Sequence, residues 1–150
     1  MSAFLTPFIA ELIDDASADG RGTWEMAAEL DYQSDVLQAW QQANNVTPAD
    51  GIVRVPIHFR TDFASIPRLP IVFLACGGRA TRPSVPHDYG YSTHYAPKPI
   101  IDKMFLESML LTNVPLDIAH QMYSAVVLFG KPFWNAPNSP QTIILPVQAG

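Results

Sequence analysis

The sequence predicts an α+β domain, with a small antiparallel sheet in its N-terminal half and a bundle of about three helices after it. Three observations carry that expectation. Apolar and polar residues alternate between Trp24 and Tyr32, β-branched residues dominate Ile52 to Phe59, and beyond residue 100 the apolar positions fall at helical spacing. The chain has 150 residues, 48% of them apolar, enough to bury a core without a metal or a disulfide. We read residues 1–150 as one domain: an N-terminal arm or short helix over 1–22, a core over 23–134 and an extended Pro-rich tail over 135–150.

Each element has its own signal. Phe4, Leu5, Phe8, Ile9, Leu12 and Ile13 are spaced to fit either a short helix or an extended arm, and the acidic, Gly-containing stretch from Asp14 to Gly22 ends it. Residues 23–34 read as one strand with a wet face, because Trp24, Met26, Ala28, Leu30 and Tyr32 alternate with Glu25, Ala27, Glu29 and Asp31. A helix follows, capped by Ser34 or Asp35 and closing near Asn44-Asn45, and it looks like an insertion between strands. Residues 51–59 read as a second strand, which Pro56 pushes toward an edge or a bulge. Ile100, Ile101, Met104, Phe105, Ser108, Met109 and Leu111 line one side of a helix running to Asn113, with Asp102 in its first turn. From Pro115 to Phe129 a further helix carries Ile118, Met122, Val126 and Phe129 as a stripe and stops at Gly130. Pro132, Pro137, Pro140 and Pro146 then mark an extended strap with an apolar anchor at Ile143-Ile144-Leu145.

Composition excludes several function classes. The net charge is −5 and no Lys/Arg cluster is present, so a nucleic-acid footprint is missing. The single cysteine, Cys76, sits in an apolar run before Gly77-Gly78 and reads as a buried, inert thiol. Neither a secretory signal pattern nor a run of about 20 apolar residues is found, so we expect a soluble protein made in a cytoplasm, with no membrane span. P-loop, dinucleotide-binding, nucleophile-elbow and paired-cysteine motifs are all missing.

What chemistry the sequence offers lies in Thr61-Asp62-Phe63-Ala64-Ser65-Ile66-Pro67, in His87-Asp88-Tyr89-Gly90-Tyr91 and in Asp102. Carboxylates converging on an imidazole can orient a general base or bind a metal, so His87, Asp102 and Asp62 are the candidate catalytic residues and Asp88 and Asp62 the candidate metal ligands. Calcium and zinc are the candidate ions. Each residue also has a structural reading. Asp62 fits a turn or a helix cap, His87 a packing group in the first turn of a short helix, and Asp102 a first-turn acid favoured by the helix dipole. Neighbours on a helix point about 100° apart, so His87 and Asp88 cannot share one ion through spacing alone. His58, His94 and His120 are dispersed and read as structural or solvent-facing.

The run Val55 to Phe59 leading into Thr61 to Pro67, then His87 to Tyr91, Asp102 to Phe105, and Met122-Tyr123 to Phe129-Gly130 resembles an uncharacterised domain family encoded largely by tailed bacteriophages and prophages. The likeness spans about residues 23–134 and implies a phage origin, with genomic neighbours in the tail or lysis region and no established activity. The chain departs from the family pattern at the insertion over 35–50 and at Pro83 and Pro86, which are expected to delay the helix bearing His87. The His-Asp pair followed by Tyr is also similar to the arrangement of phospholipases A2. That likeness implies His87 as the base activating water, Asp88 as a calcium ligand and Asp102 as the group holding the imidazole tautomer.

Two functional expectations follow. One is a tail- or virion-associated protein, docked on other phage structural proteins, whose His/Asp site is structural or metal-binding. The other is a metal-dependent hydrolase acting on host envelope lipid or peptidoglycan. The apolar N-terminal segment and the Pro-rich tail favour the first, and the polar constellation favours the second.

Overall fold

The computed structural model describes residues 1–14, 23–61 and 79–136, and there the expected α+β order is found. The strands are β1 (Ala3–Phe4), β2 (Ala10–Asp14), β3 (Thr23–Met26), β4 (Leu30–Gln33), β5 (Ile52–Val55) and β6 (Arg60–Thr61). They form two antiparallel three-stranded sheets, ordered β1-β4-β5 and β2-β3-β6. The first fourteen residues therefore take the extended alternative.

Residues 23–34, expected as one strand, form two strands in different sheets, and the expected strand 51–59 divides likewise. Pro56 supplies the physical reason: it has no N–H for a ladder, so β5 ends at Val55. The chain turns through Ile57 and His58, whose φ is 73°, and β6 then pairs with β3 rather than β4. Two bonds close the corner, Met26 N to Phe59 O at 2.9 Å and His58 N to Met26 O at 2.8 Å. The alternation survives the bend, and Met26, Leu30 and Tyr32 are all buried.

Helix α1 (Asp35–Ala43) lies between β4 and β5, and of the two expected caps Ser34 is the one used: its Oγ accepts from Leu37 N at 3.0 Å. Among the described residues four further helices follow: α2 (Thr81–Thr93), α3 (Lys98–Leu111), α4 (Leu116–Phe129) and the short α5 (Lys131–Asn135). Helix α3 is the centre of the domain. Ile101 and Met104 pack with Leu30, Tyr32 and Val55 from the sheets, while Phe105 and Met109 pack with Met122 and Val126 from α4. Burying each such side chain contributes about 1.5–3 kcal/mol. Long-range polar bonds tie the strand-bearing half to the helices: Tyr32 Oη donates to Glu107 Oε1 at 2.5 Å, and Arg82 Nη2 donates to the carbonyl of Thr6, between β1 and β2.

Several expectations about the helices and the tail are corrected. Pro83 and Pro86 do not delay α2, which begins at Thr81. Pro83 falls among the first N–H groups, which have no helical partner anyway, and Pro86 costs one rung that buried packing makes good. His87 therefore lies in the middle of a 13-residue helix and not in the first turn of a short one. Asp102 lies in the second turn of α3, not the first, because Pro99 is tolerated near the start and the helix opens at Lys98. Leu111 and Phe129 leave the buried stripes of α3 and α4 and are 44% and 67% exposed, and Pro132 sits inside α5 rather than in an extended strap. Cys76, Pro137, Pro140, Pro146 and the Ile143-Ile144-Leu145 anchor lie outside the described residues. Among the described residues no helix is long and apolar enough to cross a membrane.

Gly51 closes the α1 insertion. Its φ is +71°, and a Cβ there would lie 2.5 Å from the Ser34 carbonyl oxygen, the group that accepts the first α1 bond from Gln38 N at 3.0 Å. Gly51→Ala is expected to cost about 2 kcal/mol or more, since both the left-handed backbone and the contact with a backbone atom oppose it. Urea unfolding of the variant against the wild type measures that loss.

Candidate functional site

The site arises where two helix faces meet. On α2, His87 and Tyr91 are one turn apart, and on α3, Lys98 and Asp102 are likewise, so each pair shares a face. The faces can approach closely because Gly90 lies opposite Ile101: a Cβ on Gly90 would fall 2.7 Å from Ile101 Cδ1. The Gly in the His87 to Tyr91 motif is thus the point at which α2 rests on α3.

Asp102 is the hub. Its Oδ1 accepts from Tyr91 Oη at 2.8 Å and lies 2.9 Å from His87 Nε2, and its Oδ2 accepts from Lys98 Nζ at 2.7 Å. Lys98 also donates to the Val126 carbonyl of α4 at 2.9 Å, which brings a third helix into the network. The His87 ring packs against Phe105 and Tyr91 at centroid distances of 4.7 and 4.3 Å, and Trp134 of α5 meets Tyr91 edge-on at 5.2 Å. The His87 side chain is 0% exposed and that of Asp102 1%.

Burial and bonding set the charges. Burial opposes the charge on Asp102, but the bonds from His87, Lys98 and Tyr91 outweigh it and hold the carboxyl below its ordinary range. Burial lowers the His87 pKa and outweighs the opposite pull of Asp102. Burial first, and then the Asp102 charge, push the Tyr91 hydroxyl up, so it stays protonated and donates. An ionised carboxylate only accepts, so the neutral imidazole carries its proton on Nε2 and directs it at Asp102.

Of the sequence-derived candidates, His87 and Asp102 are brought into contact, and Asp62 lies outside the described residues. Asp88 serves a different neighbour: its Oδ2 accepts from the Thr61 hydroxyl of β6, tying α2 to the sheet. Among the described residues no group of three or more His, Cys, Asp or Glu side chains is gathered to hold a metal ion. The dispersed histidines are elsewhere. His58 pairs with Glu25 at 3.4 Å, His94 stacks on Trp134 at 3.7 Å, and His120 is exposed on α4. Sequence reasoning missed Lys98 and Tyr91, although each stands one helical turn from a residue it had selected.

Fold and site together define an α+β domain organised around a buried His-Asp-Lys-Tyr network. The chain belongs to a family of proteins of unknown function, DUF1353, whose pattern matches residues 24–126. No curated protein and no solved structure matches the chain. The matched span runs from β3 through most of α4 and contains His87, Asp88, Tyr91, Lys98 and Asp102.

The network makes stability depend on pH. Folded His87 titrates below the unfolded imidazole, whose pKa is about 6.5, so as the pH falls the unfolded chain binds a proton that the folded chain refuses. The stability due to neutral His87 is complete above that value and is lost below it, at no more than about 1.4 kcal/mol per pH unit. The depressed carboxyl of Asp102 adds a loss of the same sign at lower pH. Urea unfolding between pH 8 and 5 is expected to show a decline in the wild type that is shallower in His87→Gln.

Proposed function

We propose that the chain is a phage-encoded, tail- or virion-associated protein, made in the host cytoplasm and carried into the particle, whose His87/Asp102 site is a structural joint. The observation that supports the joint is the complete burial of the His87 side chain against a carboxylate whose two oxygens already accept from Tyr91 and Lys98 as well. A general base has to reach the proton it removes, whereas a joint has to be satisfied and enclosed. Support for a virion role comes from the phage-family resemblance and from the apolar side chains of Ile9, Leu12 and Ile13, which are exposed at or beside β2 and suit docking on other phage structural proteins.

A metal-dependent hydrolase acting on envelope lipid or peptidoglycan is the second reading. It draws on the 2.9 Å contact that orients His87 by Asp102 as an oriented base would be. Calcium- and zinc-dependent thermal shifts of wild type, His87→Ala and Asp88→Ala separate the two. For the joint, neither metal stabilises any form, and His87→Ala costs about 3 kcal/mol by leaving a buried carboxylate underpaired. Stabilisation of the wild type by saturating metal that vanishes in Asp88→Ala would establish a metal site instead and direct the work to hydrolysis assays. Mass spectrometry of purified particles of the encoding phage is expected to find the chain at stoichiometric level, and its absence there refutes the virion role.

A further inference from the structure

The outer face of α4 carries an arrangement that the joint does not use. Ile118, Met122 and Val126 are turned into the core, which leaves Asp117, His120, Gln121, Ser124 and Leu128 exposed. His120, Gln121, Ser124 and Ala125 line a shallow groove that ends against Leu128 and Phe129. Those two apolar side chains are 70% and 67% exposed. Asp117 and Lys131 stand seven positions to either side of Ser124. Asp117 and Ser124 lie two turns apart on one line of α4, at about 3.6 residues per turn, and Gly130, the single residue between α4 and α5, keeps right-handed helical backbone (φ −79°, ψ −13°), which leaves Lys131 close to the continuation of that line. Neither Asp117 nor Lys131 has an ion-pair partner among the described residues.

We propose that two copies of the chain pair through this face, α4 against α4 in antiparallel fashion, about a twofold axis at Ser124. That axis sets Asp117 of one copy against Lys131 of the second copy, and the same contact recurs on the other side of the axis. It also sets each Leu128 over the His120 end of the facing groove, so knob and hole belong to one surface, as an isologous contact requires. Ser124 and Ala125 are small and let the helices come close at the crossing. A parallel pairing would put Asp117 against Asp117 and Lys131 against Lys131, so the charges select the antiparallel register. Lys131 lies beyond the matched span of residues 24–126, and the pairing is inferred for this chain and not for its family.

Sedimentation velocity of the full chain over about 5 to 200 µM, the range suited to a small interface, tests the proposal. The expected result is a dimer fraction that rises with concentration. Asp117→Lys and Lys131→Asp each place like charges across the axis and are expected to weaken pairing about tenfold or more, and the double variant, which swaps the charges in both copies, restores it. Ser124→Arg is expected to give monomer. All three positions are exposed, and circular dichroism is the check that each variant folds. A wild type that is monomeric at every concentration, as it would be if another protein covers this face, overturns the proposal. So does a dimer that ignores the charge reversals or Ser124→Arg, or a folded double variant that stays monomeric.

Discussion

Asp102 is a charge held almost wholly out of water, and the arrangement of the helices follows from how that charge is kept. Leaving a carboxylate buried and unpaired costs several kcal/mol, so the fold brings it an imidazole and a phenol from α2 and an ammonium from its own helix. The second bond of Lys98, to a carbonyl of α4, extends the same constraint to the neighbouring helix. Three helices are therefore registered on one carboxylate. Apolar packing alone would tolerate small slides of helix on helix, whereas a buried ion pair with three donors tolerates few.

The same arrangement explains why residue types that usually signal catalysis fit a structural role here. An Asp that fixes the tautomer of a His is a catalytic device when the imidazole's far side meets substrate. Here the ring is flanked by Phe105 and Tyr91, and its neutral state follows from burial. Asp88, adjacent in sequence, faces β6 through Thr61, so the His-Asp dipeptide fastens α2 to two different elements.

The fold class was legible because it rests on periodicity, and Trp24 to Tyr32 kept its alternation even where the strand broke. The break itself was half legible: Pro56 was seen as a disturbance, but its effect on the partner strand depends on pairing across the sheet. His87 and Asp102 stood out as residues, while their contact did not, because fifteen positions separate them and only the packing of α2 on α3 closes that gap. Lys98 was hidden because Asp102 was placed in the first turn, whereas the helix opens at Lys98, a full turn before Asp102. The bond from Tyr32 to Glu107 left no local trace at all.

That last bond spans 75 positions, and the one from Arg82 to Thr6 spans 76. On a ribosome the strands emerge first, yet the Tyr32 hydroxyl, buried in the finished domain, meets its acceptor only after α3 has been made. The sheets are thus translated early and completed late. A separately expressed N-terminal half would expose the apolar side of both sheets with nothing to cover it, because the residues that bury that side arrive only with the helices.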